Sequence, residues 1–86
     1  MLMVGSVIVV FRVTPDDIDS YQSVKEAVEK LGSKRAEEEP IGFGLNAVKA
    51  TFLVPEIDGK MDELESQLNS IEHVGSVEVV HMSRSL

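Results

Sequence analysis

The stretch from Glu37 to Val54, EEEPIGFGLNAVKATFLV, constrains the fold more than any other. It runs from acidic residues through a proline and a Gly-Phe-Gly step into a long apolar-rich segment. From Leu45 onward, Val48, Ala50, Phe52 and Val54 fall on one face, and Ala47, Lys49, Thr51 and Leu53 on the other. This period of two predicts a strand that Pro55 ends. The residues before it are poor material for an interior strand. Glu37, Glu38 and Glu39 are unsuited to burial, and Pro40 has no N–H for a ladder, so Ser33 to Ile41 predicts an edge strand or extended arm. Between the two lies Phe43, a large aromatic flanked by Gly42 and Gly44. Glycine frees the backbone at an entropic cost in regular elements. Phe43 is therefore expected on a turn, displayed and not packed.

One strand–helix unit precedes this stretch and one helix–strand unit follows it. Met3 to Val13 is rich in β-branched residues. Val7, Val9, Phe11 and Val13 alternate with Ser6, Ile8, Val10 and Arg12, and apolar residues on both faces predict a central strand. Thr14-Pro15-Asp16-Asp17 reads as a helix start, with Thr14 as cap, Pro15 in the first helical position and two aspartates at the positive end of the dipole. Ile18, Tyr21, Val24, Val28 and Leu31 then form one buried stripe up to Gly32. Beyond the Asp58-Gly59 turn, Met61, Leu64, Leu68 and Ile71 predict a second amphipathic helix from Met61 to Glu72, with Asp62, Glu63 and Glu65 near its start. Val74 to Met82 reads as the last strand and Ser83 to Leu86 as a short tail. The order βαββαβ predicts an α+β ferredoxin-like plait. Its four-stranded antiparallel sheet carries both helices on one face, with strands one and three in the centre.

Composition narrows the function classes. With 86 residues the chain forms one domain, and a hydrophobic fraction of 43% with 27% charged residues excludes disorder. A formal net charge of -7 argues against a nucleic-acid partner, which requires clustered Lys and Arg. The plait order raises the RNA-binding modules of similar topology, but the outer faces of the central strands offer Ile8, Val10, Arg12, Ala47, Lys49, Thr51 and Leu53, with no aromatic to stack a base. The absence of cysteine excludes disulfide frameworks and thiol chemistry. The apolar run Met1 to Phe11 has no basic leader and is broken at Arg12, so neither a signal peptide nor a membrane span is expected. The expectation is a cytoplasmic protein.

Candidate chemistry is sparse. His73 and His81 lack the further ligands of a metal site and read as surface or packing residues. The carboxylates fall in helix first turns or on the exposed arm, without the burial and convergence that general acid–base catalysis needs. Gly42-Phe43-Gly44 lacks the further glycine and the Lys-Ser/Thr pair of a phosphate loop. No enzyme, cofactor, metal or small-molecule substrate is expected from these residues.

At Pro40-Ile41-Gly42-Phe43-Gly44-Leu45 the chain resembles the translation elongation factor 1-beta family, in its short stand-alone archaeal form. The likeness continues through Val54, the helix start Met61-Asp62-Glu63-Leu64-Glu65 and Val74-Gly75-Ser76-Val77-Glu78-Val79-Val80. The resemblance implies a guanine-nucleotide exchange factor for elongation factor 1-alpha, the GTPase that delivers aminoacyl-tRNA. In eukaryotic relatives the phenylalanine of the Pro-Ile-Gly-Phe-Gly motif contacts the GTPase, and a lysine near the C-terminus reaches toward its magnesium site. The first matches Phe43, between Gly42 and Gly44, and the second falls on Arg84. Arginine is a planar cation and lysine a compact point charge, so this position departs from the family pattern. So do Asn46-Ala47, where those relatives carry a basic pair. A reading from another class stays open beside this one: a small-molecule-binding or dimerising regulatory module that uses the partly apolar sheet face.

Overall fold

The computed structural model describes residues 5–85. It contains β1 (Ser6–Pro15), a 3-10 turn (Ile18–Ser20), α1 (Tyr21–Lys30), β2 (Arg35–Gly42), β3 (Leu45–Pro55), α2 (Lys60–Asn69) and β4 (Val74–Ser85). The strands form one antiparallel sheet in the order β2-β3-β1-β4. This is the ferredoxin-like α+β arrangement, with the two most apolar strands in the centre. Met3 and Val4 of the expected first strand, and Leu86 of the expected tail, lie outside the described residues.

The core lies between the sheet and the two helices. Val9, Phe11 and Val13 of β1 and Val48, Ala50, Phe52 and Val54 of β3 meet Val24 and Val28 of α1 and Leu68 of α2. The register sets large against small, with Phe11 opposite Ala50 and Phe52 opposite Val9. Phe11 and Phe52 then meet edge to face on the diagonal, centroids 5.9 Å apart at 78°. Such a pair contributes about 0.5–1.5 kcal/mol beyond its burial.

The opposite face of the sheet is crossed by charge. Arg12 Nε donates to Glu39 Oε1 at 2.8 Å, spanning β1 to β2 over β3. Ala47, which pairs with Glu39, lies beneath this crossing and is fully buried although it belongs to the open face. Glu78, opposite Arg12 on β4, stands 3.9 Å from its guanidinium.

Four expectations are corrected. Thr14 and Pro15 do not open a helix, because β1 continues through them and Pro15 is buried. Beyond Val13, β1 pairs with β4 alone, so a residue without an N–H is tolerated there. The helical segment starts instead at the 3-10 turn, and Ile18, expected in the buried stripe, is 60% exposed. A 3-10 turn has a different pitch from the helix that follows it, so Ile18 is out of phase with Tyr21, Val24, Val28 and Leu31. The second helix stops at Asn69, and Ile71 reaches the core from the following turn. Finally, Ser83 to Ser85 are strand and not tail, paired with Ile8, Val7 and Ser6. A register shift between Val10/His81 and Phe11/Val79, with Val80 as the extra residue, precedes this last stretch of β4.

Candidate functional site

The features singled out in the sequence occupy two ends of the sheet. At one end, β2 and β3 form a hairpin closed by Gly42 opposite Leu45, leaving Phe43-Gly44 as a two-residue loop. Both loop residues have positive φ, 56° and 77°, as a turn matched to the right-handed twist of its strands requires. Gly42 is also left-handed, at 106°, just after a register shift that leaves Ile41 without a partner. The backbone thus demands glycine on both sides of the aromatic. Phe43 adopts the left-handed region at a cost of order 1 kcal/mol, and its side chain is fully exposed. The glycines signalled this display correctly.

Phe43 is not alone there. Ile41 is 40% exposed, and Ile18 Cδ1 lies 3.7 Å from where a side chain on Gly44 would begin. Ile18 escaped the sequence reading because its spacing fitted the buried stripe of α1. The same end brings together Asp16, Asp17 and His73, which are far apart in sequence. The Asp16 N–H donates to the His73 carbonyl at 2.7 Å. The imidazole Nδ1 stands 3.7 Å from Asp16 Oδ1 and 4.0 Å from Asp17 Oδ2. The Ser20 hydroxyl donates to the Asp17 carboxylate at 2.8 Å and is the main reason this carboxyl sits below its ordinary range, with His73 a lesser one. The group fastens the end of β1 to the α2–β4 turn. All three side chains are exposed. Local spacing could not find it, since only the β1–β4 pairing makes these residues neighbours.

Arg84 lies at the other end. It pairs with Val7, whose partner on β3 is Val54. Leu45, just after the loop, is nine residues before Val54, so at ~3.3 Å per residue roughly 30 Å separates the two ends. The structure therefore does not bring Phe43 and Arg84 together. Arg84 is 72% exposed, and its Nε stands 3.4 Å from Glu56 Oε1. Glu56 can lie there because Gly5 has no side chain; a Cβ on Gly5 would come within 3.1 Å of the same oxygen. An exposed pair of this kind is worth under about 1 kcal/mol, so a competing carboxylate on another molecule can take the guanidinium.

Among the described residues the two ends carry a projecting aromatic and an exposed cation, and no buried set of titratable groups is found. Among the described residues no helix is long and apolar enough to cross a membrane. Residues 8–84 match the EF-1 guanine nucleotide exchange domain. The chain is similar to the elongation factor 1-beta of Methanoregula boonei, 39% identical over 92% of this chain and 96% of that protein. It is also similar to that of Caldivirga maquilingensis, 39% identical over 87% and 90% of the two chains, and to that of Thermoplasma acidophilum, 34% identical over 92% and 97%. Match, coverage and identity together place the chain in the EF-1 guanine nucleotide exchange domain family, a nucleotide exchange domain of translation elongation.

Proposed function

We propose that the protein acts in the cytoplasm as a single exchange domain that promotes replacement of GDP by GTP on elongation factor 1-alpha, through protein–protein contact and without covalent chemistry. The observation that carries this reading is Phe43, an aromatic held fully exposed on a strained two-residue loop at the position of the family's GTPase-contacting phenylalanine. A bulky side chain held at positive φ and fully exposed among the described residues is suited to contact with a partner, which supports this reading.

The physical requirement for exchange is differential binding. Magnesium and the phosphate loop hold the nucleotide in GTPases. A protein that binds the nucleotide-free state better lowers nucleotide affinity by the same factor, because linkage is reciprocal. In this reading Phe43, carried by Gly42 and Gly44, supplies an apolar wedge. Arg84 supplies a cation for the carboxylates that surround the partner's magnesium. Its loose hold on Glu56 leaves the guanidinium available.

The regulatory-module reading needs an apolar open face. That face is crossed instead by the Arg12–Glu39 pair with Glu78 beside it, which favours the exchange reading. The deciding measurement is the release of labelled GDP from elongation factor 1-alpha. Substoichiometric protein is expected to accelerate release, and an unchanged rate at stoichiometric protein overturns the assignment. Excess GDP is expected to weaken the complex.

A further inference from the structure

Next to Arg84, the loop from Glu56 to Gly59, the first turn of α2 and the Met82 region of β4 enclose an open cleft of about 440 Å³. That is within the ~300–1,000 Å³ of ordinary ligand sites. Its floor is apolar, made by Val9 and Val54. Met61 and the half-exposed Met82 form its sides, and methionine adapts its shape to an incoming group. Carboxylates stand around this floor: Asp58, Asp62 and Glu56. Glu56 has Arg84 beside it. Among the described residues no cationic side chain lies within 4.0 Å of Asp58 or Asp62.

An apolar floor with unpaired carboxylates at the mouth is complementary to one chemistry: a long aliphatic stem ending in a positive charge. An anionic ligand such as a nucleotide or nucleic-acid phosphate is repelled by the same rim. We propose that this cleft receives a lysine or arginine side chain of elongation factor 1-alpha, docked beside Arg84. The proposal rests on the exchange reading above and adds to it a second contact of opposite sign. Arg84 gives a cation to the partner while Asp58 and Asp62 accept one, and paired contacts of opposite sign fix register and suppress wrong partners.

The experiment measures the affinity of the full chain for nucleotide-free elongation factor 1-alpha at low and high salt. Asp58→Asn/Asp62→Asn is expected to weaken binding about tenfold at low salt and to flatten the salt dependence. Asp58→Glu/Asp62→Glu, which keeps both charges, is expected to retain most of the affinity. Glu37→Gln/Glu38→Gln, on the far edge strand, makes the same change in net charge and is expected to matter much less. Melting curves of all variants check folding. The cleft proposal is overturned if the asparagine variant binds as tightly as the wild type, if it loses no more than the Glu37/Glu38 variant, or if the glutamate variant fails to recover affinity. If the wild type itself neither binds the GTPase nor releases GDP, the exchange reading falls and this proposal with it. A wild type that exchanges normally beside an indifferent asparagine variant removes the cleft alone.

Discussion

Phe43 occupies an unfavourable backbone region and is fully exposed, packed against none of the described residues, so its substitution separates folding from function. Phe43→Ala keeps the same φ demand and loses no internal contact. Its stability is expected to stay within about 0.5 kcal/mol of wild type, while GDP release from elongation factor 1-alpha slows about tenfold or more. Parallel melting and release measurements check both. A wild-type release rate removes the residue from the mechanism. Gly44→Ala makes the opposite case. It puts a Cβ at φ 77° and 3.7 Å from Ile18, and a destabilisation of about 1 kcal/mol or more is expected, read from the denaturation midpoint. The display of Phe43 on a turn between glycines was legible in the sequence, because a Gly-Phe-Gly step has few regular conformations. Ile18 was not legible. Its spacing matches the stripe of α1, and only the 3-10 turn rotates it outward.

At the scale of elements, the two helices do unequal work. α1 buries Val24 and Val28 completely, whereas α2 has Leu68 as its one fully buried residue. Leu68→Ala is expected to cost about 2–5 kcal/mol, a large share of the ~5–15 kcal/mol of an ordinary domain. Urea titration would show a lower midpoint, and a loss below about 1 kcal/mol would mean that α2 is not anchored there. The edge strand β2 is held differently. The hydrogen bond from Arg12 is the first cause that keeps the Glu39 carboxyl below its ordinary range, with the Arg12 charge adding to it. Because the folded pKa is depressed, this contribution is complete above the ordinary carboxylate pKa of about 4.3 and is lost as pH falls through the lower folded value. Glu39→Gln is therefore expected to lower stability at neutral pH and to flatten its decline on the acid side. A series of melts from neutral to acid pH would show the two curves converging, and parallel curves would rule the pair out as a source of acid lability. From its glutamates and Pro40 the segment read as an edge strand or an extended arm, and it is the edge strand β2. The sequence could not show that one of those glutamates crosses a strand to meet Arg12, since that pairing depends on the small Ala47 between them. The helix start at Thr14-Pro15 was misplaced for a related reason. Cap signals are local, and the β4 partner that keeps Pro15 in the sheet is distant in sequence.

At the scale of the whole molecule, the element order was legible and it already contained the placement of the two proposed contact points, Phe43 and Arg84. β3 and β4 both run antiparallel to β1, so the start of β3 and the end of β4 must lie at opposite ends of the sheet. Phe43 precedes the first and Arg84 belongs to the second. A partner that meets both has to span roughly 30 Å, by the rise of a strand, along a molecule 49 Å in its longest dimension. Residues so far apart with no shared neighbour act independently unless the partner couples them. In the exchange reading, Phe43→Ala and Arg84→Ala are therefore expected to multiply, the double variant slowing GDP release by the product of the single effects to within about 0.5 kcal/mol of additivity. Arg84→Lys beside Arg84→Ala would show how much of that position is charge and how much is the planar guanidinium. If the double variant is no slower than the slower single one, the two ends work as one unit, the partner being strained between them. If Arg84→Ala has no effect at any concentration, the mechanism resides at the hairpin end alone, and the cation at the far end of the sheet has no part in releasing the nucleotide.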